Sequence, residues 1–106
     1  MRYWIVFCFL FFVSPHLLAD RHYVTVPSGL HEGQKVTVLG GNYSPNTRLQ
    51  LDIIYEKGPH KIDTVVTNSE GKLEYVIDEV RSGENIVRIY LESGARLAET
   101  RMVVAK

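Results

Sequence analysis

The 106-residue sequence predicts an all-β fold in which two antiparallel sheets pack face to face as a sandwich of about seven strands. Two observations carry this. Short runs alternate apolar with polar residues, the period of a strand with one buried face, and no stretch of the predicted domain shows a helical apolar period. Between the runs, clusters of Gly, Pro, Asn and Ser recur at the spacing of roughly 8–12 residues seen in sandwiches.

The first strand is expected over His22–Val26, closed by Pro27, which cannot donate to a ladder and belongs at an edge or a strand end. Gln34–Gly40 follows, with Val36 and Val38 inward. Gly41–Thr47 is a turn-rich corner of the kind that carries a chain between sheets. Arg48–Tyr55 alternates most cleanly, Leu49, Leu51, Ile53 and Tyr55 facing one side. Glu56–His60 is a hairpin connection, and Lys61–Thr67 the next strand. Asn68–Gly71 is a turn whose Gly suits a left-handed closing position. In Lys72–Asp78 the residues Leu73, Tyr75 and Ile77 share a face; in Asn85–Leu91 the residues Val87, Ile89 and Leu91 do. The last strand, Arg96–Val104, has Ala98, Thr100, Met102 and Val104 inward. The charges Arg96, Glu99 and Arg101 do not keep one parity, which predicts a bulge.

Residues 1–19 read as a leader rather than as part of the fold. A short basic start, Met1-Arg2, precedes the apolar run Tyr3–Val13, and Ser14-Pro15-His16 breaks it before Leu17-Leu18-Ala19. That is the layout of a secretory signal cleaved after Ala19, and the run is too short for a spanning helix, which needs about 20 apolar residues. One domain, residues 20–106, remains, secreted or, in a bacterium, periplasmic or at the cell surface. The only Cys, Cys8, leaves with the leader, as do Trp4 and every Phe, so the domain is disulfide-free and relies on its core. Loss of Arg2 leaves the basic residues one short of the 12 acids, with no basic excess to recruit nucleic acid or an anionic membrane.

Two family resemblances cover most of this domain. Ser28-Gly29-Leu30, Gly33, Val36-Thr37-Val38, Gly40, Tyr43, Pro45-Asn46-Thr47, Leu49 and Leu51, with the Thr67–Gly71 turn, resemble bacterial Ig-like modules of surface and adhesion proteins. Tyr23, Val24, Val26, Pro27, Leu30, Gly33, Val36 and Val38 fit the frame of the first macroglobulin domain of the α2-macroglobulin, complement and thioester-protein family. In that family such a strand follows the leader almost at once. Either resemblance implies an Ig-like or macroglobulin-like antiparallel β-sandwich that works by protein–protein contact. The sequence has no Cys-Gly-Glu-Gln thioester segment, so protease trapping is not carried over.

The chemistry-bearing residues point the same way. His22, His31 and His60 lie singly on a strand, a turn and a hairpin, not at the close spacing of a metal site. Ser28, Ser44, Ser69, Ser82 and Ser93 all sit in turn contexts, and none begins a strand-turn-helix elbow. Carboxylate pairs such as Glu70/Glu74 and Asp78/Glu79 fall on strand ends and solvent faces. No catalytic, cofactor or metal residue is therefore assigned, a small hydrolase or metal-dependent effector being the alternative. Asn42-Tyr43-Ser44 forms a glycosylation sequon that reads first as a polar corner. Tyr carries apolar area and a hydroxyl at low entropic cost, so Tyr43 in the corner and Tyr90 on an outward position are the expected protein-binding residues. Tyr23 and Thr25 join them because the first strand offers an uncharged edge for strand addition, whereas the last strand is charged. The loops Gly41–Thr47 and Glu56–His60 are expected together at one end.

Overall fold

The computed structural model describes residues 21–106. The leader, its cleavage after Ala19 and Cys8 lie outside the described residues. Eight strands and no helix are present among them: β1 (Tyr23–Thr25), β2 (Leu30–His31), β3 (Val36–Gly41), β4 (Arg48–Ile54), β5 (Lys61–Val66), β6 (Leu73–Ile77), β7 (Gly83–Leu91) and β8 (Arg96–Ala105). They form a three-stranded sheet, β1-β3-β6, and a five-stranded sheet, β2-β8-β7-β4-β5. The all-β sandwich expected from the period-2 pattern is thus present, with one strand more than the pattern reveals. That strand, β2, is two residues long and runs parallel to β8, Leu30 opposite Val104 and His31 opposite Ala105. Pro27 and Gly29 (φ +71°) fall between β1 and β2, where the chain leaves one sheet for the other.

The core lies between the sheets. Val24, Val36, Val38, Leu73 and Ile77 come from the smaller sheet. Leu49, Leu51, Ile53, Val65, Val87, Ile89, Met102 and Val104 come from the larger. Burial of such side chains stabilises by about 1.5–3 kcal/mol each. Leu51 and Ile89 are direct cross-strand partners on β4 and β7 of the larger sheet. Leu91 keeps the inward parity but is exposed beside the 92–95 turn.

The bulge read from the charge parity is there. Ile89 pairs with Ala98 but Tyr90 pairs with Arg96, so Leu97 is the extra residue of β8. Its insertion puts Arg96 on the same outer face as Glu99 and Arg101. β8 is no edge strand, however: it lies between β7 and β2. The edges of the sandwich are β1, β6, β2 and β5.

Candidate functional site

The Gly40–Ser44 corner binds the N-terminal strand from several directions. Tyr43, expected on the surface, is only 6% exposed. Its hydroxyl donates to the Tyr23 carbonyl at 2.8 Å, its ring stacks on His22 at 5.1 Å, and its N–H donates to the Gly71 carbonyl. Burial, and secondarily the neighbouring Tyr23, push its phenol far above the ordinary range. Asn42, at φ +66°, donates through Nδ2 to the Arg21 carbonyl. Tyr43 is therefore a fastener rather than a contact residue, because a corner that turns the chain inward carries its aromatic ring with it.

Gly41 accommodates the ring of Tyr23, since a Cβ there would stand 2.6 Å from Cε2. With one face laid on the backbone, Tyr23 keeps the other in solvent and is 46% exposed. Across the register, Tyr23 pairs with Gly41, Thr25 with Leu39 and Leu39 with Glu74, while Thr37 pairs with Val76. Leu39 is thus the diagonal neighbour of Tyr23 on one side and of Val76 on the other, linking β1 to β6 on the outer face of the small sheet. Leu39 and Val76 are also exposed. An open groove beside them is lined by Tyr23, Leu39, Val66, Lys72 and Glu74.

The outer face of the five-stranded sheet has a different character. Tyr90 lies there between Gln50 and Arg96, half-buried and away from Tyr23 and Thr25. Beside it Glu99 accepts from Arg88 at 2.7 Å and from Arg96 at 3.2 Å. Gln50 donates to Asp52 at 2.9 Å, and the exposed Ile62, Val66 and Val103 lie toward the sides of the same face. Of the four residues expected to bind, the structure brings together Tyr23 and Thr25 on β1, buries Tyr43 and leaves Tyr90 on the opposite face.

The two loops expected side by side lie at opposite ends of β4. Residues 42–47 are tied to 67–71: Asn46 N–H donates to the Asn68 carbonyl and Thr67 N–H to the Thr47 carbonyl. The Thr67 hydroxyl donates to the Ser44 carbonyl at 2.6 Å and accepts from Thr47 N–H. Residues 56–60 lie instead with 81–85. Buried Asn85 accepts from Glu56 N–H and donates to the Arg81 carbonyl, and the Glu56 carboxylate accepts from Glu84 N–H. The Arg81 guanidinium lies 4.2 Å over the Tyr55 ring. An open cleft of about 510 Å³ there is lined by residues of both charges, among them Glu32, His60, Lys61, Asp78, Glu79 and Arg81. Among the described residues no group of three or more His, Cys, Asp or Glu is placed to hold a metal ion.

Thr67 and Asn85 are the buried polar residues that sequence reading missed. The signal was present, since Thr67 continues the inward parity of Val65 and Asn85 that of Val87 and Ile89. Lys61 and Asp63 share that parity on β5. The smaller sheet does not cover them there, and Asp63 accepts from the Tyr75 hydroxyl of β6 at 2.7 Å.

No family model matches the sequence, and neither a curated protein nor a solved structure matches the chain.

Proposed function

We propose that the chain is a secreted, non-catalytic Ig-like module that binds another protein through the outer face of its three-stranded sheet. The single observation behind this reading is the contrast between the two faces. One sets Tyr23, Leu39 and Val76 in diagonal succession over all three strands; on the other the exposed Ile62 and Val66 of β5 are separated from Val103 of β8 by β4 and β7, which carry Gln50, Asp52 and Arg88 there. Contiguous exposed apolar area rimmed by polar residues is the usual mark of an interaction surface. Thr25, Lys72 and Glu74 supply that rim.

The Ig-like or macroglobulin-like reading draws support from the strand order. The first strand is split, half pairing antiparallel in the smaller sheet and half parallel to the last strand in the larger. The leader Met1–Ala19 supports export.

A photo-crosslinking residue placed at Leu39 in the full chain, secreted by cells of the source organism, tests the reading. The expected result is one discrete adduct with a second protein, and none from the same residue placed at Glu99 on the opposite face. Equal labelling from both positions, or none from either, would refute the reading. Leu39→Lys should abolish the adduct at a crosslinker on Val76 while leaving the melting temperature within a degree or two, since the site is exposed. One equivalent of tightly held zinc in the purified protein would favour the metal-dependent alternative instead.

A further inference from the structure

β5 is the longest edge strand of the molecule, paired with β4 on one side and with no strand on the other among the described residues. Its ladder runs through the odd-numbered residues. Thr67 N–H donates to the Thr47 carbonyl at 2.9 Å, and the same register sets Val65 against Leu49, Asp63 against Leu51 and Lys61 against Ile53. In an antiparallel pair the hydrogen-bonded positions alternate, so Ile62, Thr64 and Val66 turn their N–H and C=O groups to the open side. The side chains of Ile62 and Val66 are 65% and 58% exposed, the two most exposed large hydrophobic residues of the fold.

One of the open donors is capped. Asp63 Oδ1 accepts the Thr64 N–H at 2.8 Å, and its Oδ2 accepts the Tyr75 hydroxyl at 2.7 Å. The carboxylate is thus fixed from β6 and laid across the middle of the free edge. Inward-pointing charge on an edge strand is a known way of preventing strand addition.

We propose that the open edge of β5 is a self-pairing surface whose occupant is β5 of a second copy, and that Asp63, held by Tyr75, keeps it shut. The edge is self-complementary in the register centred on Thr64. There Thr64 faces its own counterpart and Ile62 faces Val66 of the second copy on both sides of the axis. All three open residues complete their backbone hydrogen bonds, and both exposed apolar side chains are covered. No other edge offers this: β1 has three residues and β2 two, and β6 lacks such a pair of exposed apolar residues. Asp63 opposes that register in two ways. It occupies the Thr64 N–H, and pairing would bring the two Asp63 carboxylates to diagonal positions, about 7–8 Å apart. The inference does not depend on the binding reading above, which uses the other sheet.

Sedimentation velocity of the secreted full chain over a concentration series tests the proposal. The wild type is expected to remain monomeric, and Asp63→Ala to associate as dimers about tenfold or more tightly. Tyr75→Phe, which releases the carboxylate without removing it, should fall between the two. Thr64→Pro added to Asp63→Ala should restore the monomer, because it removes the central open N–H without touching the ladder to β4. Unchanged sedimentation for both Asp63→Ala and Tyr75→Phe would overturn the proposal. So would dimers that survive Thr64→Pro, or a wild type as associated as Asp63→Ala.

Discussion

The Tyr43 hydroxyl, 2.8 Å from the Tyr23 carbonyl, fixes β1 to the first corner. Tyr43→Phe removes one hydrogen bond and no volume to speak of, and should lower stability by about 0.5–1.5 kcal/mol in urea denaturation. The same residue gives the fold an alkaline weakness. A phenol raised above its ordinary value of 10.0 supports folding while both states are protonated. Above pH 10 the unfolded chain ionises first, so stability falls as pH rises. The wild-type melting temperature should decline more steeply there than that of Tyr43→Phe. Asn85→Ala should cost more, about 1–3 kcal/mol in all, because the buried amide is lost and the Glu56 N–H and the Arg81 carbonyl both lose their partner. Parity alone places Asn85, Thr67 and Asp63 on the inner side. The default that polar residues face water hid them, since only the three-dimensional neighbours show which backbone groups need them.

Strands long enough to alternate were legible in the sequence, and their inner faces largely follow the parity read there. β4 illustrates why, with Leu49, Leu51 and Ile53 buried between less buried neighbours over seven residues. β2 was not legible: two residues have no period, and its partner β8 is the strand most distant in sequence. The bulge could be read because an inserted residue shifts the parity of every charge beyond it. The candidate face of the small sheet was half legible, through Tyr23 and Thr25. Leu39 and Val76 join them only through a register that no local pattern encodes. Register also sets the energetics of the core. Leu51→Ala and Ile89→Ala should each cost about 2–5 kcal/mol. Because the two side chains are direct cross-strand partners, the double variant should cost measurably less than the sum. Additivity within 0.5 kcal/mol, on the scale typical of independent sites, would place them apart.

The unequal sheets explain the molecule's asymmetry. Three strands cannot cover five, so β5 extends past the cover and carries Lys61 and Asp63 where apolar residues would otherwise stand. Export is the expectation that concerns the whole chain, and N-terminal sequencing of the secreted product should begin at Asp20. An uncleaved chain retained with the cells would contradict it. The pairing of β2 with β8 has a mechanical consequence. The two strands are parallel, Glu32 N–H extends their contact to the Ala105 carbonyl, and they lie near the two ends of the described domain. Tension applied between those ends pulls β2 and β8 lengthwise past each other, loading their bonds together in shear instead of peeling them one by one. Rupture under force is set by the rate of that event rather than by equilibrium stability. The smallest strand of the fold is thus a latch loaded in shear.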